Sequence, residues 1–359
     1  MADKYPTLWP LKPHTAAKHA ILRRYLQAWF PKLTAYNGRL VFVDGFAGPG
    51  RYTGGEPGSP LVAVETVLGH THDLSNKELG FLFIEEDLDR HRHLAQEIEK
   101  LSVPANVKIQ TCHSTFVETI DRVLERLGPT RMAPAFIMID PFGIKGLPLG
   151  TVRQLAAYPK TELLISFMYE SMNRFLTTRE FMIHLDEMFA VPEWRAARDM
   201  SGGERHRFLV DLYASRLRSI GMEYTRTFEM HDDGGRIEYD LVFASHRVEG
   251  LKAMKEAMWK VDPTGSYVFS DATDREQLTL FATAPDLAQL QGLIVGRFSG
   301  RTVPVEDIER FVIAETAFRE THYKRQILAP MERDGLVQVI TSGRQKKLSY
   351  PGGTVLRFI

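Results

Sequence analysis

Apolar residues recur along this chain in two alternating modes. Ala17, Ile21, Leu22, Tyr25, Leu26 and Trp29 keep three- and four-residue spacing and predict a helix over 14–30, capped by Thr15 and stopped by Pro31. Short apolar runs at 41–44, 79–84, 107–112, 134–139 and 163–167 predict buried strands. Helical patterns over 60–69, 87–101 and 116–127 separate the first four. The run at 134–139 is apolar throughout, which implies a sheet covered on both faces. Residues 169–212 read as mostly helical, broken near Pro192 and at Ser201-Gly-Gly203, and are long enough to cap a site. Strands at 224–230 and 237–244 flank the turn His231-Asp-Asp-Gly-Gly235, an antiparallel hairpin signature, and a helix over 251–261 follows. The expected class is α/β, with helices on both faces of a mainly parallel sheet and a terminal antiparallel hairpin. This domain is expected to span 1–285, with a helical insertion at about 170–220.

The pattern changes near the end. Residues 305–314 and 317–334 read as helices, the second ended by Gly335 and kinked by Pro330. Short strands at 336–340 and 348–358 flank the basic turn Ser342-Gly-Arg-Gln-Lys-Lys347. Two helices followed by a basic-tipped strand pair predict a winged helix over 290–359.

Candidate chemistry gathers where the apolar runs stop. Val41-Phe-Val leads into Asp44, Gly45, Phe46, Gly48 and Gly50. A strand running into a glycine-rich turn brings backbone N–H groups and a carboxylate close to a ligand. The spacing is not G-x-G-x-x-G, and no Lys-Ser/Thr follows as in a phosphate-cradling loop. It suits the cofactor turn of an S-adenosylmethionine (SAM) methyltransferase, and an ordinary turn after a core strand has the same pattern. Ser59 and the glycines of the 51–60 loop line either a site or a surface loop. Glu85 ends the second strand, where a carboxylate suits the two hydroxyls of a ribose. Glu86 and Asp87 suit the start of the next helix. Ser114, past the third strand, is placed to reach an adenine ring. Asp140, Pro141, Phe142 and Gly143 cap the fourth strand at the crevice where open α/β sheets bind ligands. There an acid and a turn carbonyl can accept hydrogen bonds from an exocyclic amine while an aromatic stacks on the base. The gain is mostly proximity and orientation. A strand-ending turn with Phe142 in the core is the alternative.

Composition narrows the setting. The 359 residues are 44% hydrophobic and 25% charged, with a formal net charge of zero. Cys112 is the one cysteine, so an intrachain disulfide and multi-cysteine metal sites are excluded; no metal is expected, and a reducing cytoplasm is. No apolar run is long enough to span a membrane, and the N-terminus does not read as a signal peptide. Charge is uneven: from Arg297 onward eleven Lys/Arg face seven Asp/Glu, a net +4 against −4 for the rest. Arg319, Lys324, Arg325, Arg344, Lys346 and Lys347 are candidate phosphate contacts, which suits a nucleic-acid-facing module; a protein–protein contact is the other reading.

Taken together, His14-Thr15-x-x-Lys18-His19, Val43-Asp-Gly-Phe-Ala-Gly-Pro-Gly-Arg-Tyr52, Gly58-Ser-Pro60, Ile139-Asp-Pro-Phe-Gly143 and Ala257-Met-Trp-Lys-Val-Asp262 resemble the three-Cys-motif partner proteins, over most of the chain. That resemblance implies a Rossmann-like class I SAM methyltransferase fold. It also implies a separate three-Cys-motif partner of radical-SAM type. Lys18-His19 with the Asp44 turn is similar to the start of bacterial 23S ribosomal RNA adenine-N6 methyltransferases, which implies that Lys18 and His19 lie near the cofactor. Asp140-Pro-Phe-Gly143 is similar to the motif of the tRNA guanine-N2 dimethyltransferases. Where the adenine-N6 enzymes prefer a second proline and an aromatic, this chain has Phe142 and Gly143. The expectation is a SAM-dependent N-methyltransferase acting on an exocyclic amine of a nucleobase in RNA or DNA. The alternative is a non-catalytic accessory protein that binds nucleic acid or a partner through the winged helix.

Overall fold

The computed structural model describes residues 6–128, 132–145, 147–262, 268–270, 285–341, 343 and 346–359. Five parallel strands form its frame: β1 (Arg39–Asp44), β2 (Glu78–Glu85), β3 (Val107–His113), β4 (Ala135–Ile139) and β5 (Thr161–Phe167). Helix α1 (Pro13–Thr34) precedes them, and α2 (Ser59–Leu68), α3 (Leu88–Glu99), α4 (Phe116–Leu127) and α5 (Leu149–Ala156) form the crossovers. After β5 come α6 (Tyr169–Phe175), α7 (Arg179–Phe189), a 3₁₀ turn (Pro192–Asp199) and α8 (Gly202–Ser219). Then β6 (Tyr224–His231) and β7 (Ile237–Ser245) make the expected hairpin, followed by α9 (Val248–Trp259). With β8 (Val268–Ser270) the sheet order is β3-β2-β1-β4-β5-β7-β6-β8, with β7 antiparallel to both neighbours. The hairpin is therefore not the edge: β8 pairs parallel with β6 outside it. The chain winds outward from β1 to β3, then returns to β4 on the other side of β1. That reversal between β1 and β4 is the topological switch point, the place where open α/β sheets bind ligands beyond the C-terminal strand ends.

Side-chain alternation builds a core on each face. Leu40, Phe42, Phe136, Met138 and Leu164 point to the face packed by α1, α2 and α9. Val43, Ile137, Ile139, Ile165 and Phe167 point to the face packed by α4, α5, α7 and α8. Strand β4 is buried at all five positions, as its unbroken apolar run requires.

Helix α1 departs from expectation at both ends. Its N-cap is Lys12, without a side-chain cap, so Thr15 lies inside the helix. Pro31 does not stop it; the helix runs on to Thr34. The missing N–H of Pro31 would have bonded the carbonyl of Gln27, and His70 Nε2 takes that carbonyl at 3.0 Å instead. His70 Nδ1 accepts from the His72 N–H, which leaves the ring proton on Nε2 to donate. At the bottom of the sheet Tyr25 and Trp29 donate to Oε2 of the half-buried Glu162 at 2.7 and 2.5 Å. This anchor fixes how far the first turn of α1 reaches over the top of the sheet.

The C-terminal part holds α10 (Leu287–Phe298), β9 (Thr302–Pro304), α11 (Val305–Glu315), α12 (Glu320–Tyr323), α13 (Ala329–Arg333), β10 (Val337–Thr341) and β11 (Val355–Phe358). The strands form an antiparallel sheet in the order β10-β11-β9. The single helix expected over 317–334 starts at Glu320 and is interrupted by a π turn at Lys324–Leu328, just ahead of Pro330. Proline cannot donate to the carbonyl four residues back, and the wider turn accommodates that loss. The last strand is shorter than the expected 348–358. Lys255 on α9 is buried and donates to the carbonyls of Val312, Ile313 and Thr316 at 2.9, 2.9 and 3.0 Å. Trp259 Nε1 donates to Ala317 O at 2.8 Å. Through these contacts α9, which carries the first half of the 257–262 motif, holds the C-terminal part against the sheet domain.

Candidate active site

Asp44 sits at the C-terminal end of β1 with no solvent exposure. Its Oδ1 accepts from the Phe46 N–H at 3.2 Å, and its Oδ2 has no hydrogen-bond partner. Burial pushes its carboxyl up to about 7, with the nearby Ser59 hydroxyl and the Phe46 N–H pulling the other way. Ser59 is buried at the first position of α2. A buried carboxylate oxygen without a donor costs free energy unless a ligand supplies one.

The glycine turn follows. Gly48 has φ +63°, a conformation that favours glycine, and its N–H donates to Glu85 Oε2 at 2.9 Å. At Gly45 a Cβ would come within 2.5 Å of the Phe116 ring, so only a bare backbone fits between β1 and α4. Gly50 accepts through its carbonyl from the Gly58 N–H at 2.7 Å, which folds the 51–60 loop back onto the turn.

Glu85 ends β2, buried, and is engaged on both oxygens. Oε1 accepts from the Asp87 N–H at 2.8 Å and from Arg90 Nε at 3.0 Å. Oε2 accepts from Gly48, which leaves it one lone pair for a further donor. Asp87 caps α3 through Asp89 and Arg90 N–H groups, as an acid at a helix start should. Ser114, past β3, donates to Glu118 at 3.0 Å and accepts from Arg122 at 2.7 Å. Its hydroxyl is thus turned to the α4 N-terminus, and its backbone N–H donates to Glu85 O at 3.2 Å.

Asp140 follows β4 and is 25% exposed at its side chain. Lys18 forms an ion pair with its Oδ2 from a side chain that is 5% exposed. Burial alone would raise the Asp140 carboxyl, but the Lys18 charge and hydrogen bond win, and it stays below the ordinary range. Asp140 is therefore ionised near neutrality and can only accept hydrogen bonds. His19, next along α1, is buried; burial first and Lys18 second push its imidazole down to about 3, so it is neutral. Gly143 has φ +87° and turns the chain after Pro141 and Phe142.

Phe142 is 59% exposed rather than part of the core. Trp9 stands edge-on to it at 5.5 Å, and the Arg90 guanidinium lies 5.3 Å from its centroid. Trp9 also packs against Tyr52, and Tyr52 against His19. Trp9 belongs to no apolar period and to no motif; the one cue to it is that a tryptophan stands ahead of the first helix. Lys18, His19, Asp44, Glu85, Asp140 and Phe142 are brought to one edge of the sheet.

The basic candidates are divided. Arg319 makes two bonds to Glu256 at 2.8 and 3.0 Å and lies over the Trp259 ring, and Lys324 faces Glu309 at 3.5 Å. Arg325, Lys346 and Lys347 make no ion pair among the described residues. With Lys324 and Arg333 they line a groove of about 680 Å³. Arg344 lies outside the described residues.

Among the described residues, His206, Glu229 and Asp240 offer ligand atoms within 4.8 Å of one another. His206 Nε2 and Asp240 Oδ2 already bond each other at 2.7 Å. Burial opposes the charge on His206, and the Asp240 carboxylate more than offsets it and raises its pKa. No described helix is long and apolar enough to cross a membrane.

No protein-family profile matches the chain, and no curated protein does. The chain is similar in fold to several solved structures. Protein LPL1258 from Legionella pneumophila has 13% identity over 70% of this chain and 93% of its own, with a TM-score of 0.41. Trm1 from Pyrococcus horikoshii, in complex with S-adenosyl-L-methionine, has 13% identity over 99% of this chain and 92% of its own, with a TM-score of 0.39. Human methyltransferase-like protein 13, in complex with SAH, has 11% identity over 74% of this chain and 97% of its own, with a TM-score of 0.34.

Proposed function

We propose that this protein is a SAM-dependent methyltransferase acting on an exocyclic amine of a nucleobase in RNA or DNA. The reading rests above all on Asp44: a fully buried carboxylate with an orphaned oxygen, at the end of the central strand and beside a glycine turn. The α-ammonium of SAM is a donor that satisfies that oxygen and its charge together. Glu85 has one lone pair for a ribose hydroxyl, and the residues around Ser114 border the adenine. Gly45, Phe46, Gly48 and Gly50 form the turn that takes the amino-acid end in this reading, with Ser59 beside them. When bound, SAM supplies a methyl group already activated on a sulfonium.

The chain's own residues do the positioning. Ionised Asp140 accepts a hydrogen bond from the amine through the oxygen that Lys18 does not hold, and Lys18 keeps it ionised and in place. His19, neutral, adds no charge against the sulfonium. Phe142 offers its exposed face to the base, held edge-on by Trp9 and flanked by Arg90. Holding amine and methyl donor in line is where most of the rate gain lies. We further propose that the C-terminal part works as a winged helix, with Arg325, Lys346 and Lys347 free to meet phosphates. A three-Cys-motif radical-SAM-type protein is the proposed partner, and co-purification of the two tests it.

The experiment is transfer of labelled methyl from SAM to bulk RNA and to DNA. Asp140→Ala is expected to abolish transfer with SAM affinity nearly unchanged. Equal loss of both would contradict this division of labour. Wild-type protein that binds nucleic acid but forms no methylated product would favour the accessory reading.

A further inference from the structure

The solvent face of α1 joins two hollows. One, of about 420 Å³, includes His19, Ala20, Arg23, Glu56 and Pro57 in its lining and lies beside the candidate active site. The other, of about 400 Å³, lies between α1, α9 and the C-terminal part, with Lys32, Lys260, Arg319 and Thr321 in its lining. Arg24 and Gln27 line both, so the two are continuous along one helix face. From His19 to Lys32 that face runs about 20 Å at the helical rise.

Charge along it is not balanced locally. Arg319 is matched by Glu256, and Lys252 by Glu309 and Glu320. Lys255 spends its three protons on carbonyls. Arg24, Lys32 and Lys260 are exposed and make no ion pair with any described residue. Three unpaired cations on one groove suit a polyanion, which gains free energy by releasing its counterions to them. Beyond His19 the line continues as aromatics: Tyr52, Trp9 and Phe142, each in ring contact with the next. Cations followed by aromatic faces are what a single strand with unstacked bases needs.

We propose that this groove holds the phosphodiester backbone of a single-stranded segment of the substrate and leads it from the C-terminal part to Phe142. Arg24, Lys32 and Lys260 are the phosphate contacts. The inference rests on the nucleobase N-methyltransferase reading, because chemistry on a base edge requires that base to leave its stack.

The test uses the full chain and fluorescein-labelled oligouridylate, read by anisotropy across a salt series. The triple variant Arg24→Glu, Lys32→Glu, Lys260→Glu is compared with wild type and with Lys346→Glu, Lys347→Glu. The triple variant is expected to bind at least about tenfold more weakly, and its dependence of log affinity on log salt to be shallower by about 2. SAM affinity by calorimetry and the melting temperature are expected to match wild type. If the triple variant binds as wild type does while the wing variant fails, the groove is not the path, and the nucleic-acid reading survives. If wild type itself does not bind the strand, both fall.

Discussion

Asp44 poses a local problem that the fold does not solve by itself. Folding lifts its carboxyl from 3.8 to about 7, mainly by burial. An unfolded chain loses that proton near 3.8 and the folded chain keeps it to about 7, so the unfolded state binds fewer protons in between. Stability without ligand is therefore expected to fall as pH rises through this window, by up to about 1.4 kcal/mol per unit. Asp44→Asn should flatten the slope, read by urea unfolding across the same window; an unchanged slope would show that Asp44 is not its source. Phe142 poses a different problem. With 59% of it exposed, its ring contributes little to folding. Phe142→Ala is expected to leave the melting temperature within a degree or two and to lower kcat/KM for nucleic acid by about 10- to 100-fold, the magnitude of one base–aromatic stack. A large fall in melting temperature instead would return Phe142 to a structural role.

Among the secondary-structure elements, the central strands were legible because each is a short, nearly continuous apolar run. The β4 run is apolar without a break, and it lies inside the sheet with β1 and β5 beside it. The acids that end β1, β2 and β4 were legible for the same reason: each is the first polar residue after a buried run. What local pattern could not show is where distant groups repair a broken rule. Pro31 is tolerated because His70 takes the freed carbonyl, and His70 comes from beyond the next helix. Trp9 reaches Phe142 only after the sheet has wound, and Lys18 reaches Asp140 from a helix whose apolar face is packed into the core and whose lower half is tied to Glu162. Helix α11 ends on another such repair. Its last carbonyls are held by the Lys255 ammonium and by Arg226, which donates to Ala314 O at 2.9 Å. Burial, with Arg226 nearby, pulls the Lys255 amine well below the ordinary lysine range; Lys255→Met removes its three bonds and strands buried carbonyls, at a cost of about 3 kcal/mol. It should loosen the C-terminal part first, seen as faster proteolysis beyond residue 285 with the sheet intact. Cleavage at the wild-type rate would show that α9 does not carry that part.

Across the molecule, one helix links three regions. Helix α1 is pinned at Glu162 below the sheet, carries Lys18 and His19 to the candidate active site above it, and turns an unpaired cationic face toward the C-terminal part. The zero net charge of the chain hides this arrangement, because the surplus of cations lies in the C-terminal part and along α1 and is matched by acids elsewhere. Everything proposed for the site depends on the β1 carboxylate and glycine turn holding a cofactor. The decisive measurement is calorimetry of SAM and S-adenosylhomocysteine on wild type and Asp44→Ala. Micromolar binding of both to wild type is expected, tighter as pH rises through about 7 because the ligand's ammonium expels the Asp44 proton, with loss of binding in the variant. Well-folded wild type that binds neither, or a variant that binds as wild type does, would contradict the assignment.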